Sequence, residues 1–237
     1  TTLEEYFPES NDEKKYFGSA VEGHKYIWFG KSAWLYERQT AVTYRHSAKW
    51  DGPVPEHQPD KFARFMRFCD AFNIPCILFV DVPGYFPGID QEHRGIINHG
   101  AKVLYALCEA TVPKISIVVR KCYGGGMLAM GGHKSLRIDQ AFGWPTAELA
   151  TMGAEAAVNV LYGADIRAAS DPEQRRLELL QEYREEHSNP VRAANKRFLD
   201  DVISPAETRA RVVRALELLS RKKDDPLPAK KHGNIPL

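Results

Sequence analysis

The sequence predicts an α/β fold in which helices cover a mainly parallel sheet. The apolar run Cys76–Val80 is followed by a loop rich in Gly and Pro and then by a helix, and this order recurs about forty residues later at Ile115–Val119. Short continuous apolar runs are typical of buried parallel strands. In such folds the crossover between parallel strands is usually a helix, and ligands bind where loops leave the strand ends.

The composition limits the functions that the chain can have. Its 237 residues, 43% apolar and 27% charged, suffice for one large globular domain or two small ones. With 32 basic and 31 acidic residues the formal net charge is +1, so no global field attracts nucleic acid or anionic membrane. Apolar runs such as Cys76–Val80 are too short to span a bilayer, and no signal peptide is recognised, so we expect a location in the cytoplasm or an organelle matrix.

The cysteines are predicted to be reduced thiols. They lie in or beside apolar segments without CxxC spacing, which favours neither disulfides nor a zinc site. We therefore expect no metal in this chain. The four residues are Cys69, Cys76, Cys108 and Cys122.

The chain before the first buried strand divides into an arm and a pair of strands. Residues 1–29 mix charge, aromatics and proline and are predicted to form an N-terminal arm, and the domain itself is predicted to cover 30–237. Trp34–Tyr44 is rich in aromatic and β-branched residues, which favours two short strands that turn near Glu37. The stretch 50–59 contains three prolines and is predicted to be a loop.

Helices are predicted on both sides of the first buried strand. Asp60 is expected to cap a helix in which apolar residues recur at spacings of three and four up to Phe72. Asp90 is expected to cap a second helix of about 18 residues that ends before the next strand. That strand, Ile115–Val119, is followed by the glycine run Gly124–Gly126 and by another helical segment.

The remaining third of the chain is predicted to be helical. Small residues within Thr146–Tyr162 indicate a helix that a neighbouring backbone can approach closely. Asp171 before Pro172 predicts the start of a charged helix that continues to about His187. Pro205 is expected to open the last helix, which carries an apolar stripe.

The glycine run Gly124–Gly126 is the strongest chemical signal in the sequence. Together with Ala129 it matches the Gly-x-Gly-x-x-Gly/Ala dinucleotide pattern, but that site requires an acidic residue about 20 positions further on, and Asp139 lies only thirteen past Gly126. Two other interpretations stay open. The glycines can serve only to pack a helix closely on a sheet, or their N–H groups can form an oxyanion hole at a helix start.

Other candidate groups are weaker. His93 and His99 are six residues apart, so on a helix they point in different directions and cannot bind one metal ion together. No HExxH and no Gly-x-Ser-x-Gly motif occurs. Three glutamates are possible acids or bases and three cations are possible anion ligands, although each is more often a solvated charge: Glu92, Glu148, Glu155, Arg120, Lys121 and Lys134.

Several motifs together carry a family resemblance. They are Phe65–Pro75, Phe79–Gly84, Asp90–His93, His99–Lys102, Glu109–Lys114, Tyr123–Gly125, Trp144–Glu148, Met152–Glu155 and Lys231–Leu237. From about Gly30 onward the chain resembles the C-terminal half of the carboxyltransferase (β) subunit of biotin-dependent acyl-CoA carboxylases, the propionyl-CoA carboxylase type. This resemblance implies a single crotonase-like (ClpP/crotonase) domain built as a spiral of ββα units.

The resemblance also implies a function for the glycine run. In that family the C-terminal half holds biotin, and carboxyl passes from carboxybiotin to the α-carbon of an acyl-CoA, with biotin accepting the substrate's α-proton. By motif, the N–H groups of Gly125 and Gly126 are the implied catalytic donors, and Met127 and Leu128 are the implied residues that select the acyl chain. The implied biotin site comprises Tyr123, Gly124, Gly125, Gly126, Gly84 and Arg94.

The implied partners follow from the division of work in the family. A separate N-terminal-half carboxyltransferase subunit is expected to hold acyl-CoA, so this chain alone is expected to carboxylate nothing. A biotin carboxyl carrier protein and a biotin carboxylase complete the expected homo- or hetero-oligomer. Replacement of Gly126 by valine is expected to abolish transfer without unfolding the protein.

Some positions depart from the family pattern and keep alternatives open. Arg94 and Ala156 each stand where the family has glycine, and His46–Lys49 replaces its Ala-Asn-Gln-Pro segment. The apolar pair Met127 and Leu128 weakens an assignment to propionyl-CoA in particular. The alternatives are a decarboxylase of malonyl-type acyl-CoA and a non-catalytic scaffold subunit.

Overall fold

The computed structural model describes residues 57–223 except Phe86, together with the backbones of four strands between residues 17 and 44. Residues 1–16, the segment His46–Lys49, the loop residues 50–56 and the C-terminal tail lie outside the described residues.

In the described part of the chain nine strands form one sheet. They are β1 Phe17–Val21, β2 His24–Trp28, β3 Ala33–Tyr36, β4 Thr40–Tyr44, β5 Cys76–Val82, β6 Lys114–Tyr123, β7 Gln140–Gly143, β8 Glu148–Ala150 and β9 Asp201–Val202. The spatial order is β1-β2-β3-β4-β5-β6-β7-β9, and β8 pairs with β6. Strands β1 to β4 pair antiparallel, and every pairing from β4 to β9 is parallel.

The helices follow the strands in chain order. They are α1 His57–Ala71, α2 Ile89–His93, α3 Ile96–Glu109, α4 Gly124–Ala129, α5 Ala154–Ala168, α6 Pro172–Tyr183, α7 Pro190–Asn195 and α8 Thr208–Leu219. A π-helical turn at Arg184–Ser188 extends α6, and a 3-10 turn at Pro205–Glu207 precedes α8. Among the helices described, none combines the length and the apolar character that crossing a membrane requires.

Helices cover both faces of the central strands, which confirms the α/β prediction. On one face Leu78 and Val80 of β5 pack with buried side chains of α1 and α3, such as Met66 and Val103. On the other face the alternate β5 residues, among them Ile77, pack with α8. This alternation is expected of a strand buried on both sides, because successive side chains point to opposite faces.

The predicted strands are confirmed. The hairpin expected over Trp34–Tyr44 is the antiparallel pair β3 and β4. The runs Cys76–Val80 and Ile115–Val119 lie within β5 and β6. Part of the predicted arm, 1–29, also forms strands, since β1 and β2 extend the edge of the sheet.

Helix α1 does not begin where the sequence predicted. It starts at His57, three residues before Asp60, so Asp60 is in its first turn and is not the N-cap. The Asp60 carboxylate lies 2.8 Å from His99 Nδ1 and 3.1 Å from Lys102 Nζ, which fixes α1 against α3. Burial acts to raise the pKa of Asp60, but the hydrogen bonds with Lys102 and His99 outweigh it and hold the pKa below its usual 3.8.

The single helix predicted from Asp90 is two helices. Gly88 is the N-cap of α2, and Asp90 lies in its first turn. The chain then passes through Gly95 at φ 74°, a left-handed conformation that ends α2 and places Gly95 before α3. The prediction of Asp90 as the cap of one long helix was therefore wrong.

The prediction of a helix over Thr146–Tyr162 was wrong for the first half of this range. Residues Glu148–Ala150 form β8 against the end of β6, and α5 begins only at Ala154. Pairing with a neighbouring strand here outweighs the local preference of small residues for a helix.

The predicted start of α6 is confirmed. Asp171 is its N-cap, and Asp171 Oδ1 accepts a hydrogen bond of 3.1 Å from the Gln174 N–H. The last helix also begins near Pro205 as predicted, through a capping box in which Ser204 and Glu207 bond to each other.

Candidate active site

The glycine run lies at the carboxyl end of β6, and a bulge in that strand determines its position. Val80 of β5 pairs with Val118, but Val82 pairs with Cys122, so two residues of β5 face four of β6. Before the bulge β6 pairs with β7, and after it with β8. A bulge of this kind redirects the end of a strand, and here it brings the glycine run over the end of β5.

Side chains satisfy the backbone groups that the bulge leaves unpaired. Asp81, buried in β5, accepts a hydrogen bond of 3.0 Å from the Lys121 N–H and lies 3.3 Å from Arg120 Nη2. The Thr146 hydroxyl donates a bond of 2.6 Å to the Val119 carbonyl. Arg120 is thus occupied by an ion pair and is a poorer candidate for an anionic ligand than its sequence position indicates.

Replacing Asp81 with alanine is expected to lower the free energy of unfolding by about 2 kcal/mol, because the partly buried Lys121 N–H loses the acceptor that Asp81 provides and Arg120 loses an ion pair. Asp81→Asn keeps an acceptor oxygen for Lys121 and is expected to cost less. Urea unfolding measures both changes, and Asp165→Ala, an exposed aspartate of α5, is the matched control with a change of at most about 0.5 kcal/mol. An Asp81→Ala variant as stable as this control would contradict the account of the bulge.

The glycine run forms the first turn of α4. Gly124 has φ 53°, a conformation that favours glycine. The N–H groups of Gly125 and Gly126 belong to the first helical turn and therefore have no acceptor within α4. Gly125 is exposed and Gly126 is buried. The geometry of this turn therefore allows the two N–H groups to act as donors to an oxyanion.

Close packing explains why Gly126 has no side chain. A Cβ there would lie 2.9 Å from Gly84 Cα and 2.9 Å from Val82 Cγ2. Gly84, whose φ is 140°, has no atom of the described residues within 4 Å of its own hypothetical Cβ. The structure therefore brings together two of the predicted site segments, the glycine run and the loop after β5.

Tyr85 was missed by sequence reasoning. Its ring edge lies 2.9 Å from the position of a Cβ on Gly125, and its hydroxyl packs against Gly100 of α3. Burial raises the pKa of Tyr85 to about 12. The sequence did contain a signal for Tyr85, because it directly follows the Pro-Gly pair after a buried strand. Loops that follow parallel strands in this way lie at the ligand-binding edge of the sheet.

Tyr123 is buried beside the turn. Its hydroxyl donates a hydrogen bond to Glu148 Oε2 on β8, and its ring lies 3.3 Å from the position of a Cβ on Gly153. Burial and the Glu148 carboxylate raise the pKa of Tyr123 well above its usual range. The phenol therefore stays protonated and its donor is occupied within the protein.

The other predicted site residues lie around the turn in different ways. Met127 packs against the core, and its carbonyl accepts a bond of 2.8 Å from the Gly132 N–H, whereas Leu128 is exposed. Arg94 is exposed at the end of α2. Met152 lies two residues after β8 and is a further exposed apolar residue. Its neighbour Thr151 lies next to the turn, because the Thr151 carbonyl is 2.9 Å from the position of a Cβ on Gly124.

The remaining candidates have structural or surface positions. His99 and Lys134 are in ion pairs with Asp60 and Asp200, and His93, Glu92 and Glu155 are exposed.

The dinucleotide interpretation and the cysteines also have structural explanations. Asp139 accepts a 2.7 Å bond from the Lys114 N–H and pairs with Lys222, so it is not placed to bind a ribose. All four cysteines are free, and burial raises the pKa of Cys122 well above its usual range. Within the described residues no three His, Cys, Asp or Glu side chains form a group that could hold a metal ion.

The chain is similar to known proteins over most of its length. Residues 49–235 match the family described as "Carboxyl transferase domain". The propionyl-CoA carboxylase carboxyltransferase subunit of Haloferax mediterranei is 56% identical over 186 residues, which are 78% of this chain and 36% of that protein. The methylmalonyl-CoA decarboxylase subunit alpha of Propionigenium modestum is 53% identical over 178 residues, which are 75% of this chain and 34% of that protein.

A solved structure shares the whole fold. It is the transcarboxylase 12S hexamer with methylmalonyl-coenzyme A and methylmalonic acid bound, with a TM-score of 0.83 and 39% identity, covering 100% of this chain and 48% of that one. The chain spans about a third of the length of the curated relatives and corresponds to their C-terminal halves. It belongs to the carboxyl transferase domain family and has the crotonase-like fold of these carboxyltransferases.

Proposed function

We propose that this chain forms the biotin-binding half of a biotin-dependent acyl-CoA carboxyltransferase. The observation that carries the proposal is the glycine turn at the end of β6, where Gly125 and Gly126 begin a helix with N–H groups that have no acceptor within it. Membership in the carboxyl transferase family supports the same reaction. Biotin, when bound, supplies the ureido group that carries the carboxyl.

The residues around the turn fit an uncharged ring with one strong acceptor oxygen. Gly125 is exposed and carries no side chain over its N–H, and the ring of Tyr85 borders the space beside it. Leu128 and Met152 add exposed apolar surface to the elements that form the turn. Two backbone donors and apolar walls match a ureido group better than they match a phosphate or a carboxylate, which would favour a cation.

The N–H groups of Gly125 and Gly126 would act on the oxygen that gains negative charge as the carboxyl group departs. Donors fixed by the backbone stabilise this charge without reorganising, and loss of one such donor typically costs about 10²-fold to 10³-fold in rate. The ring of Tyr85, which packs on Gly100 and Gly125, would shield one side of these donors from water and so strengthen their effect.

A second crotonase-like carboxyltransferase half would supply the acyl-CoA side of the site. A biotin carboxyl carrier protein and a biotin carboxylase would deliver the carboxyl group. The hexameric assembly named for the similar 12S structure, with its bound methylmalonyl-coenzyme A, supports an oligomer that acts on a short acyl-CoA. The four free cysteines favour a reducing compartment, the cytoplasm or an organelle matrix.

Reconstitution tests the proposal. The 237-residue chain is mixed with the N-terminal half of the Haloferax mediterranei subunit, a biotinylated carrier, biotin carboxylase, ATP, ¹⁴C-bicarbonate and propionyl-CoA. Label is expected in the acyl-CoA only when the chain and the second half are both present, and not with the chain alone. Transfer by the chain alone, or transfer that is the same without it, would contradict the proposal.

Decarboxylation is the second candidate. The 53% identity to a methylmalonyl-CoA decarboxylase subunit supports it, because the same donors serve the reaction in either direction. Replacing propionyl-CoA by methylmalonyl-CoA in the same mixture, without ATP, measures the rate of transfer in the reverse direction. Reverse transfer clearly faster than the forward transfer measured with ATP would favour the decarboxylase, and the opposite ratio would favour the carboxylase.

A further inference from the structure

Glu148 is not one of the proposed backbone donors, yet it accepts a hydrogen bond from Tyr123, the residue directly before the glycine turn. Tyr123 directly precedes Gly124, and its buried hydroxyl donates to Glu148 Oε2. The two residues also belong to paired strands, since Lys121 faces Glu148 and Tyr123 faces Ala150 in the register of β6 and β8. The bond therefore joins the last residue of β6 to the first residue of β8.

Two further segments lie close to the turn. The Thr151 carbonyl lies 2.9 Å from the position of a Cβ on Gly124, and Gly153, the N-cap of α5, packs against the ring of Tyr123. Residues 148–153 thus contact both residues that set the direction of the first turn of α4. A displacement of the Tyr123 ring would change the backbone angles at which α4 begins, and so the direction of the N–H groups of Gly125 and Gly126.

We propose that Tyr123 and Glu148 are a positioning pair that fixes the backbone donors of the glycine turn. The pair does not touch the reacting atoms itself. A hydrogen bond to a carboxylate is shorter and stronger than one between neutral groups, so it holds the ring in one orientation. This inference rests on the proposed function, because the positioned donors are those assigned to biotin.

Three variants separate the hydrogen bond from the bulk of the side chains. Tyr123→Phe removes only the hydroxyl, Glu148→Ala removes the acceptor, and Glu148→Gln keeps an acceptor oxygen. Equilibrium dialysis with tritiated biotin methyl ester measures affinity, and the midpoint of urea unfolding measures stability. Glu155→Ala, which removes an exposed carboxylate from the first turn of α5, is the matched control.

The expected result is a loss of affinity in addition to the loss of stability that the missing hydrogen bond causes. Tyr123→Phe and Glu148→Ala are expected to weaken binding about tenfold, as for the loss of one charge-assisted hydrogen bond. The double variant is expected to bind no more weakly than either single variant, because both remove the same bond. Glu148→Gln is expected to stay within about twofold of the wild type, and Glu155→Ala to be unchanged. A merely structural role would lower the unfolding midpoint and leave affinity unchanged, which would overturn the proposal.

Spectra without ligand separate this inference from the proposed function. In the chain labelled with ¹⁵N-glycine, the amide resonances of Gly124, Gly125 and Gly126 are expected to shift in Tyr123→Phe and Glu148→Ala but hardly in Glu148→Gln. Resonances that stay at their wild-type positions in all three variants would overturn the positioning role. Failure of the wild-type chain to bind biotin methyl ester would overturn the proposed function, and the ligand-free spectra would still decide the positioning role.

Discussion

Replacement of Gly125 by alanine is expected to lower carboxyl transfer about 10²-fold while the protein stays folded. The added Cβ would lie 2.9 Å from the ring of Tyr85 and would displace this ring, which borders the exposed Gly125. The ring edge of Tyr85 is half-buried and can shift, so the cost in stability is expected to be small. Transfer of ¹⁴C-carboxyl in the reconstituted mixture measures the rate.

Gly163→Ala is the matched control for this substitution. Gly163 lies in α5, and among the described residues a Cβ there would meet Arg167 Nη1 alone, at 3.8 Å. Since glycine within a helix costs about 0.5–1 kcal/mol relative to alanine, this variant is expected to keep its activity and to gain slightly in stability. If Gly125→Ala and Gly163→Ala transferred carboxyl equally well, the donors would have to lie elsewhere.

Replacement of Gly126 by valine is expected to abolish both transfer and stable packing around the turn. The first atom of the side chain would lie 2.9 Å from Gly84 Cα, a backbone atom that cannot rotate away, and 2.9 Å from Val82 Cγ2. Overpacking of a buried position costs about 1–3 kcal/mol, and the remaining valine methyl groups add to it. The expectation from the sequence, that this variant would lose activity but keep its fold, is therefore corrected.

Urea unfolding and the transfer assay, performed on the same preparation, check this prediction. Gly126→Val is expected to unfold at a clearly lower urea concentration than the wild type, whereas Gly125→Ala is expected to unfold near the wild-type midpoint. Wild-type stability in Gly126→Val would show that the loop carrying Gly84 can move, and would contradict the close packing described above.

The parts of the fold that depend on local signals could be predicted from the sequence. The strand Cys76–Val82 contains a continuous apolar run, the strand Lys114–Tyr123 is apolar over Ile115–Val119 except for Ser116, and the helix that begins at Pro172 has its own capping residue, Asp171. Each of these signals is complete within about ten residues of the chain, so it acts before any distant contact forms.

The parts that depend on distant contacts could not be predicted. The strand Glu148–Ala150 exists because a bulge redirects β6, and that bulge is filled by Asp81 from a different strand. The split between α2 and α3 had a local signal in Gly95, but a glycine inside a helical pattern does not by itself show a left-handed conformation.

The residues of the site also divide into those with a local sequence signal and those that depend on distant contacts. The donors of Gly125 and Gly126 could be proposed from a short motif and its resemblance to a family, because the helix start that exposes them is local. Tyr85 touches Gly100 and Gly125 only after two loops have folded together, and Tyr123 meets Glu148 across 25 residues of chain. Residues that support a site through such contacts leave no periodic pattern in the sequence.

The most direct test of the central claim is a titration of the ¹⁵N-glycine-labelled chain with biotin methyl ester, followed by NMR. The account predicts that the amide protons of Gly125 and Gly126 move downfield as they form hydrogen bonds with the ureido oxygen, while the resonance of Gly163 in α5 stays in place. Binding that leaves the two amides unmoved and shifts glycines elsewhere, or no binding at all, would contradict the assignment of this turn as the biotin site.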